Sequence, residues 1–210
     1  MHVKKDYIYD EIKKMIIMGE LKQGENIIEK DLIDKFDVSR TPIREALKIL
    51  DMEGWIYSNP RKGYNVSSIT FKDVKDLFQI RYEMEPLCLK IANKFFEEKE
   101  LLELRNEIKM YVKNKDYGSL RLMDEKFHEY IINSTYNDYI IRTMKYVNEH
   151  SNRTRFLTFR DKEATLESAY DHIKILDFLL NNDIDKAVAS LKKHVDRSQL
   201  YFIKNFNFKG

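Results

Sequence analysis

The sequence predicts a mainly α-helical protein, in which an N-terminal winged helix-turn-helix is followed by an all-α antiparallel helical bundle. Residues 1–70 carry three short helical patterns and then two short strand patterns around a basic turn. Residues 71–210 are patterned as consecutive amphipathic helices separated by short polar turns. A chain of 210 residues is long enough for two modest domains that each bury a core. We therefore predict two domains, 1–70 and 71–210.

Composition argues against several classes of protein. Three prolines and six glycines accompany 43% hydrophobic residues, which is typical of a compact helical chain rather than a disordered one. The 37 basic and 35 acidic residues give a net charge of only +2, so DNA binding would depend on local clusters. Cys88 is the single cysteine, which excludes an internal disulfide. Without a signal-peptide core or an apolar run of bilayer length, we expect a cytoplasmic protein with no membrane partner.

The first three helices are predicted from apolar periodicity. Apolar residues between Tyr7 and Met18 recur at helical spacing, and a second short pattern covers 29–36. The third helix starts at Ser39, whose hydroxyl is expected to cap the free backbone amides, with Pro42 in the first turn. This order of short helices is that of a helix-turn-helix.

The third helix has an apolar face and a cationic face. Arg40, Arg44 and Lys48 lie at i, i+4 and i+8 on the cationic face. The apolar stripe consists of Ile43, Ala46, Leu47 and Leu50. A recognition helix needs such a cationic face, because its arginines can bond guanine edges or phosphates in the major groove. Taken alone, the same stripe also fits an ordinary solvated surface helix.

The segment that follows predicts a β-wing. Residues 55–58 and 64–66 form two short strand patterns joined by a turn that carries Arg61 and Gly63. Arg61 is expected over the DNA backbone or minor groove, and Gly63 lets the main chain bend closely. Trp55 is expected to be a core residue rather than one that stacks on bases.

Two motifs of this half carry a family resemblance: LKQGENIIEKDLIDKFDVSRTPIREALKILDMEGWI and the PRKGYNV wing after it. Together they resemble the DNA-binding domain of GntR-family regulators over nearly all of residues 7–66. The resemblance implies that this domain binds a double-stranded DNA operator through Lys30, Arg40, Thr41, Arg44 and Gly63. We add two candidates from their places at the helix start and the wing tip, Ser39 and Arg61. Residues 1–70 carry 12 basic and 12 acidic side chains, so affinity must come from a few well-placed cations and from dimerisation.

We expect six helices and no strand after residue 70. The apolar patterns place them near 71–96, 98–114, 117–134, 138–157, 163–181 and 183–204. Four histidines occur in this half at equal intervals of 22 residues: His128, His150, His172 and His194. A helix and its turn have roughly this length, so the spacing either places the histidines at a similar level of an antiparallel bundle or arises by chance.

Asp124 and His128 form the sharpest local pattern in this half. Their i, i+4 spacing puts a carboxylate and an imidazole on one helix face, which is a common way to hold a metal. With His172 and His194, three helices would supply three imidazoles and one carboxylate, a set that suits zinc, nickel, cobalt, iron or manganese. The alternative for each histidine is a structural core residue.

A second resemblance supports the metal interpretation. The motifs DEKFH, DHIKI and KH, at 124–128, 171–175 and 193–194, resemble the metal-binding pattern of FCD effector domains in the FadR-like GntR subgroup. The resemblance implies a divalent transition metal, with zinc or nickel favoured over manganese, iron or cobalt, held by Asp124, His128, His172 and His194. Six predicted helices and the intact ligand set resemble the VanR-like branch. Asp171 stands where many such domains carry glutamate, which leaves open whether its side chain reaches a ligand histidine.

Other polar residues of this half have less defined expected roles. The family position that matches Arg81 faces the pocket, so the resemblance implies that Arg81 binds a ligand carboxylate. The alternative is an ion pair with Glu85 on the helix surface. His150 is either a pocket residue near the metal or a core histidine. Three weaker pocket candidates, some of them expected to be solvated, are Asn152, Arg153 and Arg155.

These features together predict a homodimeric transcriptional regulator that is not an enzyme. A small carboxylate effector would bind beside the metal and shift the helices, so that the affinity for the operator changes. Two alternatives remain open at this point. The metal ion itself could be the signal, or the chain could be a metal-dependent hydrolase with Glu125 or Glu129 as general base.

Overall fold

The computed structural model of the chain describes residues 2–60, 63–158 and 161–206. These residues form two compact units, one that ends at Thr70 and one that begins at Phe71. Within the described ranges, no helix is long and apolar enough to cross a membrane.

The N-terminal unit is a winged helix-turn-helix, as the sequence predicts. In the described part of this unit, the elements are α1 (His2–Ile17), β1 (Asn26–Ile27), α2 (Glu29–Phe36), α3 (Arg40–Met52), β2 (Ile56–Asn59) and β3 (Gly63–Val66). The strands form an antiparallel sheet in the order β1-β3-β2. The sequence analysis missed β1, because two residues are too few to show an alternating pattern.

The core of this unit lies between α1, α3 and the sheet. Apolar side chains from these elements form one buried cluster with Trp55, which is fully buried as expected. The predicted apolar face of α3 is confirmed, since the four residues of its stripe are all buried: Ile43, Ala46, Leu47 and Leu50. The opposite face of α3 is therefore left for solvent or for a ligand.

The start of α3 differs from the prediction in one respect. Ser39 has the extended backbone of a capping residue, with φ −72° and ψ 168°, but its hydroxyl makes no capping hydrogen bond. The expected hydroxyl cap is therefore wrong. A capping side chain bonds to the second or third amide of its helix, and the third residue of α3 is Pro42, which has no N–H. The preceding turn is made by Asp37, which takes the left-handed backbone conformation at φ 49°.

The C-terminal unit is a bundle of helices. They are α4 (Phe71–Ala92), α5 (Glu98–Asn114), α6 (Tyr117–Asn133), α7 (Asp138–Thr158), α8 (Lys162–Leu180) and α9 (Ile184–Asn205). The predicted order of six helices is confirmed for the described residues. A short 3₁₀ turn, Asn93–Phe95, follows α4 where the prediction continued the first helix.

Aspartate side chains fix where three of these helices begin. Asp116, Asp161 and Asp183 precede α6, α8 and α9, and each accepts a hydrogen bond from a backbone N–H two or three residues further on, at 3.1, 2.8 and 3.2 Å. Such caps satisfy amides that the helix itself leaves unpaired. These bonds lower the pKa of Asp116 and Asp161, and the pKa of Asp183 is lowered chiefly by the Lys186 side chain.

Packing brings four helices around one region of the bundle. Helix α8 packs against α5, α6 and α9, and α4 packs against α6, α7 and α9. The facing sides of α4, α6, α8 and α9 consequently meet, and polar side chains on those sides are buried together.

Candidate metal centre and candidate DNA interface

Four potential metal ligands from three helices are buried at this meeting point. Asp124 and His128 come from α6, His172 from α8 and His194 from α9, and all four are at least nine-tenths buried. Each offers one ligand atom, and these four atoms lie within 4.8 Å of one another. We refer to these four residues as the Asp/His cluster. The structure thus brings together the set that the sequence analysis singled out.

Two of the ligand-atom separations inside the Asp/His cluster are close to those expected around a single metal ion. The Nε2 atoms of His172 and His194 lie 3.3 Å apart, and His172 Nε2 lies 3.6 Å from Asp124 Oδ1. Ligand atoms about 2.0–2.1 Å from a tetrahedral zinc ion would lie at about this separation. The Phe127 ring stacks on His172, with centroids 4.0 Å apart and an interplanar angle of 15°, and this contact orients the imidazole.

Carboxylates outside the cluster orient two of the histidines. His128 Nδ1 lies 2.9 Å from Glu85 Oε2, and His194 Nδ1 lies 3.3 Å from Asp171 Oδ2. When Nδ1–H donates to a carboxylate, Nε2 keeps its lone pair and can bind a metal. Asp171 therefore reaches its histidine despite being shorter than glutamate. Sequence reasoning did not assign a histidine partner to Glu85, which lies 43 residues before His128.

Burial keeps the histidines of the cluster neutral. It lowers the pKa of His128 to about 4, although Glu85 partly opposes the shift. It also lowers the pKa of His194 to about 4, and that of His172 well below its ordinary value. A neutral imidazole is the form that binds metal, so the folded protein presents these ligands without first releasing their protons.

Asp124 is held by two side chains from neighbouring helices. Arg155 Nε on α7 lies 2.8 Å from Asp124 Oδ2, and Ser168 Oγ on α8 donates to Asp124 Oδ1 at 2.7 Å. Burial by itself raises the pKa of Asp124, but attraction to the Arg155 guanidinium opposes it. The pKa of Asp124 is therefore lowered, and the carboxylate is ionised and available to a cation.

Arg81 lies in the buried interior rather than on a helix surface. Its Nε donates to Glu85 Oε1 at 2.5 Å, and its Nη2 lies 3.5 Å from His128 Nε2. The Arg81–Glu85 ion pair considered as an alternative therefore exists, but its expected surface location is wrong, since both side chains are at most 4% exposed. The other terminal nitrogen, Nη1, is buried and has no hydrogen-bond partner among the described residues.

The weaker pocket candidates all lie on α7. His150 lies outside the Asp/His cluster, and its ring contacts Tyr146 with centroids 4.3 Å apart. Asn152 and Arg153 are buried, and Arg155 is nearly so. The expectation that some of these three side chains would be solvated is therefore wrong, because α7 packs against α4, α6 and α9.

A partly open cavity in this unit lies beside the side chains that hold Asp124. Arg155 and Ser168, which hold Asp124, form part of its wall. Aromatic side chains contribute apolar surface, and Arg197 on α9 contributes a second guanidinium. Sequence reasoning missed Arg197 and Ser168, although both lie within four residues of a ligand histidine in the sequence.

The candidate DNA-binding residues form an exposed set in the N-terminal unit. The described members are all exposed: Lys30, Ser39, Arg40, Thr41, Arg44 and Gly63. Gly63 has φ 79°, which favours glycine at the start of β3. Arg61 lies outside the described residues.

Glu29 at the start of α2 pairs with the arginines of α3. Arg44 Nε donates to both carboxylate oxygens of Glu29, at 3.0 and 3.2 Å, and Arg40 Nε lies 3.8 Å from Glu29 Oε2. Sequence reasoning missed Glu29, because this pairing depends on how α2 and α3 cross. A carboxylate beside both arginines lowers the positive potential that they offer to phosphate.

Comparisons with known proteins agree with both halves of this description. Residues 4–66 match the gntR family of bacterial regulatory proteins, and residues 76–197 match the FCD domain. The chain is 30% identical over 192 residues to the HTH-type transcriptional regulator YdhC of Bacillus subtilis, covering 89% of this chain and 84% of YdhC. It is also 30% identical over 200 residues to the gluconate operon transcriptional repressor of Bacillus licheniformis, covering 90% and 81% of the two chains.

Solved structures share the fold. McbR/YncC of Escherichia coli matches with a TM-score of 0.83 at 18% identity, over 97% of this chain and 99% of that one. The Zn²⁺-bound FCD domain of TM0439 matches with a TM-score of 0.54 at 24% identity, over 66% of this chain and 97% of that one. These families consist of transcriptional regulators rather than enzymes, which excludes the hydrolase alternative. The chain belongs to the GntR family of bacterial transcriptional regulators, in the FadR-like subgroup whose C-terminal domain is an FCD domain.

Proposed function

We propose that this regulator binds its operator as a homodimer, with an affinity that a small carboxylate effector changes by binding at a metal-containing pocket of the C-terminal domain. The observation that carries the proposal is the Asp/His cluster, in which four buried ligand atoms lie within 4.8 Å of one another. One carboxylate and three neutral imidazoles this close together form a ligand set that suits one divalent transition ion.

The metal would be a divalent transition ion held by Asp124, His128, His172 and His194. Three imidazoles and one carboxylate favour zinc or nickel, with manganese, iron and cobalt as further candidates. The Zn²⁺-bound FCD domain of TM0439 supports this assignment, since it shares the fold of the domain. When bound, the ion would supply positive charge for an acidic ligand, which could join the four protein ligands as a fifth.

Arg81 supports a carboxylate as the effector. Its guanidinium lies next to His128, and its Nη1 atom is buried without a hydrogen-bond partner among the described residues. A buried donor of this kind is stabilised when an anion binds to it. The gluconate operon repressor of Bacillus licheniformis is a relative whose operon name refers to an organic acid.

The N-terminal unit would read the operator through the exposed start of α3. Arg40, Thr41 and Arg44 lie there and would contact base edges and phosphates, and Ser39 would contact a nearby phosphate. Lys30 on α2 and Gly63 with Arg61 in the wing would contact the backbone or the minor groove. Two such units in a dimer would bind half-sites about one helical turn apart.

Metal binding is tested with His172→Ala, which removes one ligand, and with His150→Ala as a control that removes a histidine outside the cluster. We expect His172→Ala to lose bound metal and to lose the rise in melting temperature that zinc gives to the wild type. His150→Ala should retain one metal per chain. Full occupancy in His172→Ala, measured by elemental analysis after dialysis, would remove His172 from the site.

The role of the effector is tested by titrating metal and organic acids separately against operator affinity. We expect zinc alone to leave the affinity for the operator nearly unchanged and an acid to change it only in the zinc-loaded protein. A full response to zinc alone would make the ion itself the signal. A response to acid after chelation of all metal would place the effector elsewhere.

A further inference from the structure

The cavity beside the Asp/His cluster contains two guanidinium groups that are each bound to a carboxylate of the candidate metal centre. Arg155 contacts Asp124, which is a ligand in the proposed function. Arg197 contacts Asp171, which orients His194. Both arginines line the same cavity, so one molecule in that cavity can reach both.

Of the two arginines, Arg197 can more easily exchange its present partner for an anionic ligand. Its side chain is 44% exposed, and besides Asp171 it contacts Glu167, through the backbone oxygen at 3.2 Å and through the carboxylate Oε2 at 3.8 Å. Exposed ion pairs contribute little free energy, so exchanging Asp171 for an anionic ligand costs little. Arg155 is 11% exposed and is held at the inner wall by Asp124. The cavity therefore has one fixed cationic end and one adaptable cationic end.

A divalent ion would make the region around the cluster more favourable for an anion. The ion pairs of this region join Arg81, Arg155 and Arg197 to Glu85, Asp124, Glu167 and Asp171. Glu125, which also interacts with Arg155, adds a further acidic group. A divalent cation would add two positive charges beside these carboxylates, so an anion binds more readily once the metal is bound.

We propose that Arg155 and Arg197 make this cavity selective for an anion with two acidic groups, such as an aliphatic dicarboxylate, and that this anion and the metal bind cooperatively. The inference rests on the proposed function, because it assumes a metal at the Asp/His cluster. One acidic group pairs with Arg155 and the other with Arg197, while the aromatic wall covers the apolar chain between them.

The cooperativity follows because the anion would draw each arginine away from the carboxylate that it now contacts. When the anion takes Arg197, Asp171 becomes a stronger acceptor for His194 Nδ1–H, and His194 becomes a better metal ligand. When the anion accepts hydrogen bonds from the Arg155 guanidinium, Arg155 compensates less of the negative charge of Asp124. Both changes strengthen metal binding, and the metal must strengthen anion binding by the same factor.

The test uses the full-length protein, zinc, and acids of matched length: succinate and glutarate against butyrate and valerate. Calorimetry on the zinc-loaded protein should give at least one dicarboxylate an affinity about tenfold above that of the equal-length monocarboxylate. That dicarboxylate should also raise zinc affinity about tenfold, measured by competition with a chromogenic chelator.

Arg197→Gln separates this role from a structural one. We expect it to weaken dicarboxylate binding about tenfold, to change monocarboxylate binding less than about threefold, and to leave zinc affinity without acid unchanged or higher. The matched control is Arg105→Gln, which breaks an arginine–aspartate pair with Asp177 on the same helix α8 and should change none of these affinities.

Two results would overturn the inference. Equal affinities for both acid classes would show that the second cationic end is not used, and weaker zinc binding by Arg197→Gln without acid would make Arg197 a structural support for His194. Zinc-dependent binding of monocarboxylates would still leave the proposed function standing in either case. If neither acid class binds the zinc-loaded protein, both this inference and the effector part of the proposed function fail.

Discussion

Arg155 Nε on α7 lies 2.8 Å from Asp124 Oδ2 on α6, so the carboxylate of the Asp/His cluster already has a cationic partner in the protein itself. A second partner, Ser168, bonds to the other oxygen at 2.7 Å. Asp124 is therefore pre-oriented, and a bound metal would share this carboxylate with the guanidinium. Metal binding at the Asp/His cluster would therefore be linked to the packing of α7 on α6 through this pair.

Replacing Arg155 with glutamine is expected to destabilise the metal-free protein by about 3–5 kcal/mol, because removing one partner of a buried pair leaves the other charge uncompensated. Zinc supplies positive charge beside Asp124, so it should recover more stability in Arg155→Gln than in the wild type. Urea unfolding followed by circular dichroism, with chelator and with zinc, measures both quantities. Arg105→Gln breaks a more exposed pair and should cost less. An equal effect of zinc on wild type and Arg155→Gln would contradict the link.

The buried histidines predict how the metal-free protein responds to acid. The pKa of His194 is about 4 in the folded protein, below its ordinary value of 6.5, and that of His128 is shifted in the same way. Between pH 6.5 and 4 the unfolded chain binds more protons than the folded one, so stability falls as pH falls. Each such histidine contributes about 1.4 kcal/mol per pH unit within this window.

The measurement is unfolding in the presence of chelator at pH 7 and pH 5, for the wild type and for His194→Gln. We expect the variant to lose less stability on acidification than the wild type, because it has one fewer buried histidine to protonate. The same loss in both proteins would mean that His194 is not held neutral by burial.

Helix positions were predictable because each helix has its own apolar face. The pattern around Asp124 and His128 was also local, since an i, i+4 pair defines a helix face in any amphipathic helix. The side chains that contact the cluster were harder to predict from the sequence. Ser168 bonds to Asp124 across 44 residues of sequence, and that contact depends on the packing of α6 on α8.

Two errors in the sequence analysis have specific physical causes. The hydroxyl of Ser39 was expected to cap α3, but one of the two amides that it could bond to is missing, because Pro42 has no N–H. Asn152 and Arg153 lie on α7 among other polar residues, and this run of polar residues indicated a solvated helix face. Helix α7 is covered by other helices, so these polar groups are buried.

The exposed position of Arg44 predicts a loss of sequence discrimination in Arg44→Ala. We expect affinity for the operator to fall by about 1–3 kcal/mol, with little change in melting temperature, because the side chain is not part of the core. Fluorescence anisotropy with an operator selected from random DNA by the wild type measures the loss. Lys48→Ala removes another exposed cation of α3, one turn further on, and should weaken binding to all sequences alike. An unchanged operator affinity in Arg44→Ala would refute its role as a reading residue.

The Glu29–Arg44 pair predicts that a carboxylate limits binding to non-specific DNA. Glu29 contacts both Arg44 and Arg40, so phosphate must compete with it for these guanidinium groups. We expect Glu29→Gln to bind non-specific duplex more tightly and to steepen the dependence of log K on log salt by up to about 0.9, equivalent to one additional phosphate contact. Asp34→Asn removes the same charge from an exposed position on α2 and controls for net charge. If both variants shift the salt dependence equally, net charge explains the effect. A larger shift in Glu29→Gln supports direct competition, because only Glu29 holds the arginines that phosphate would need.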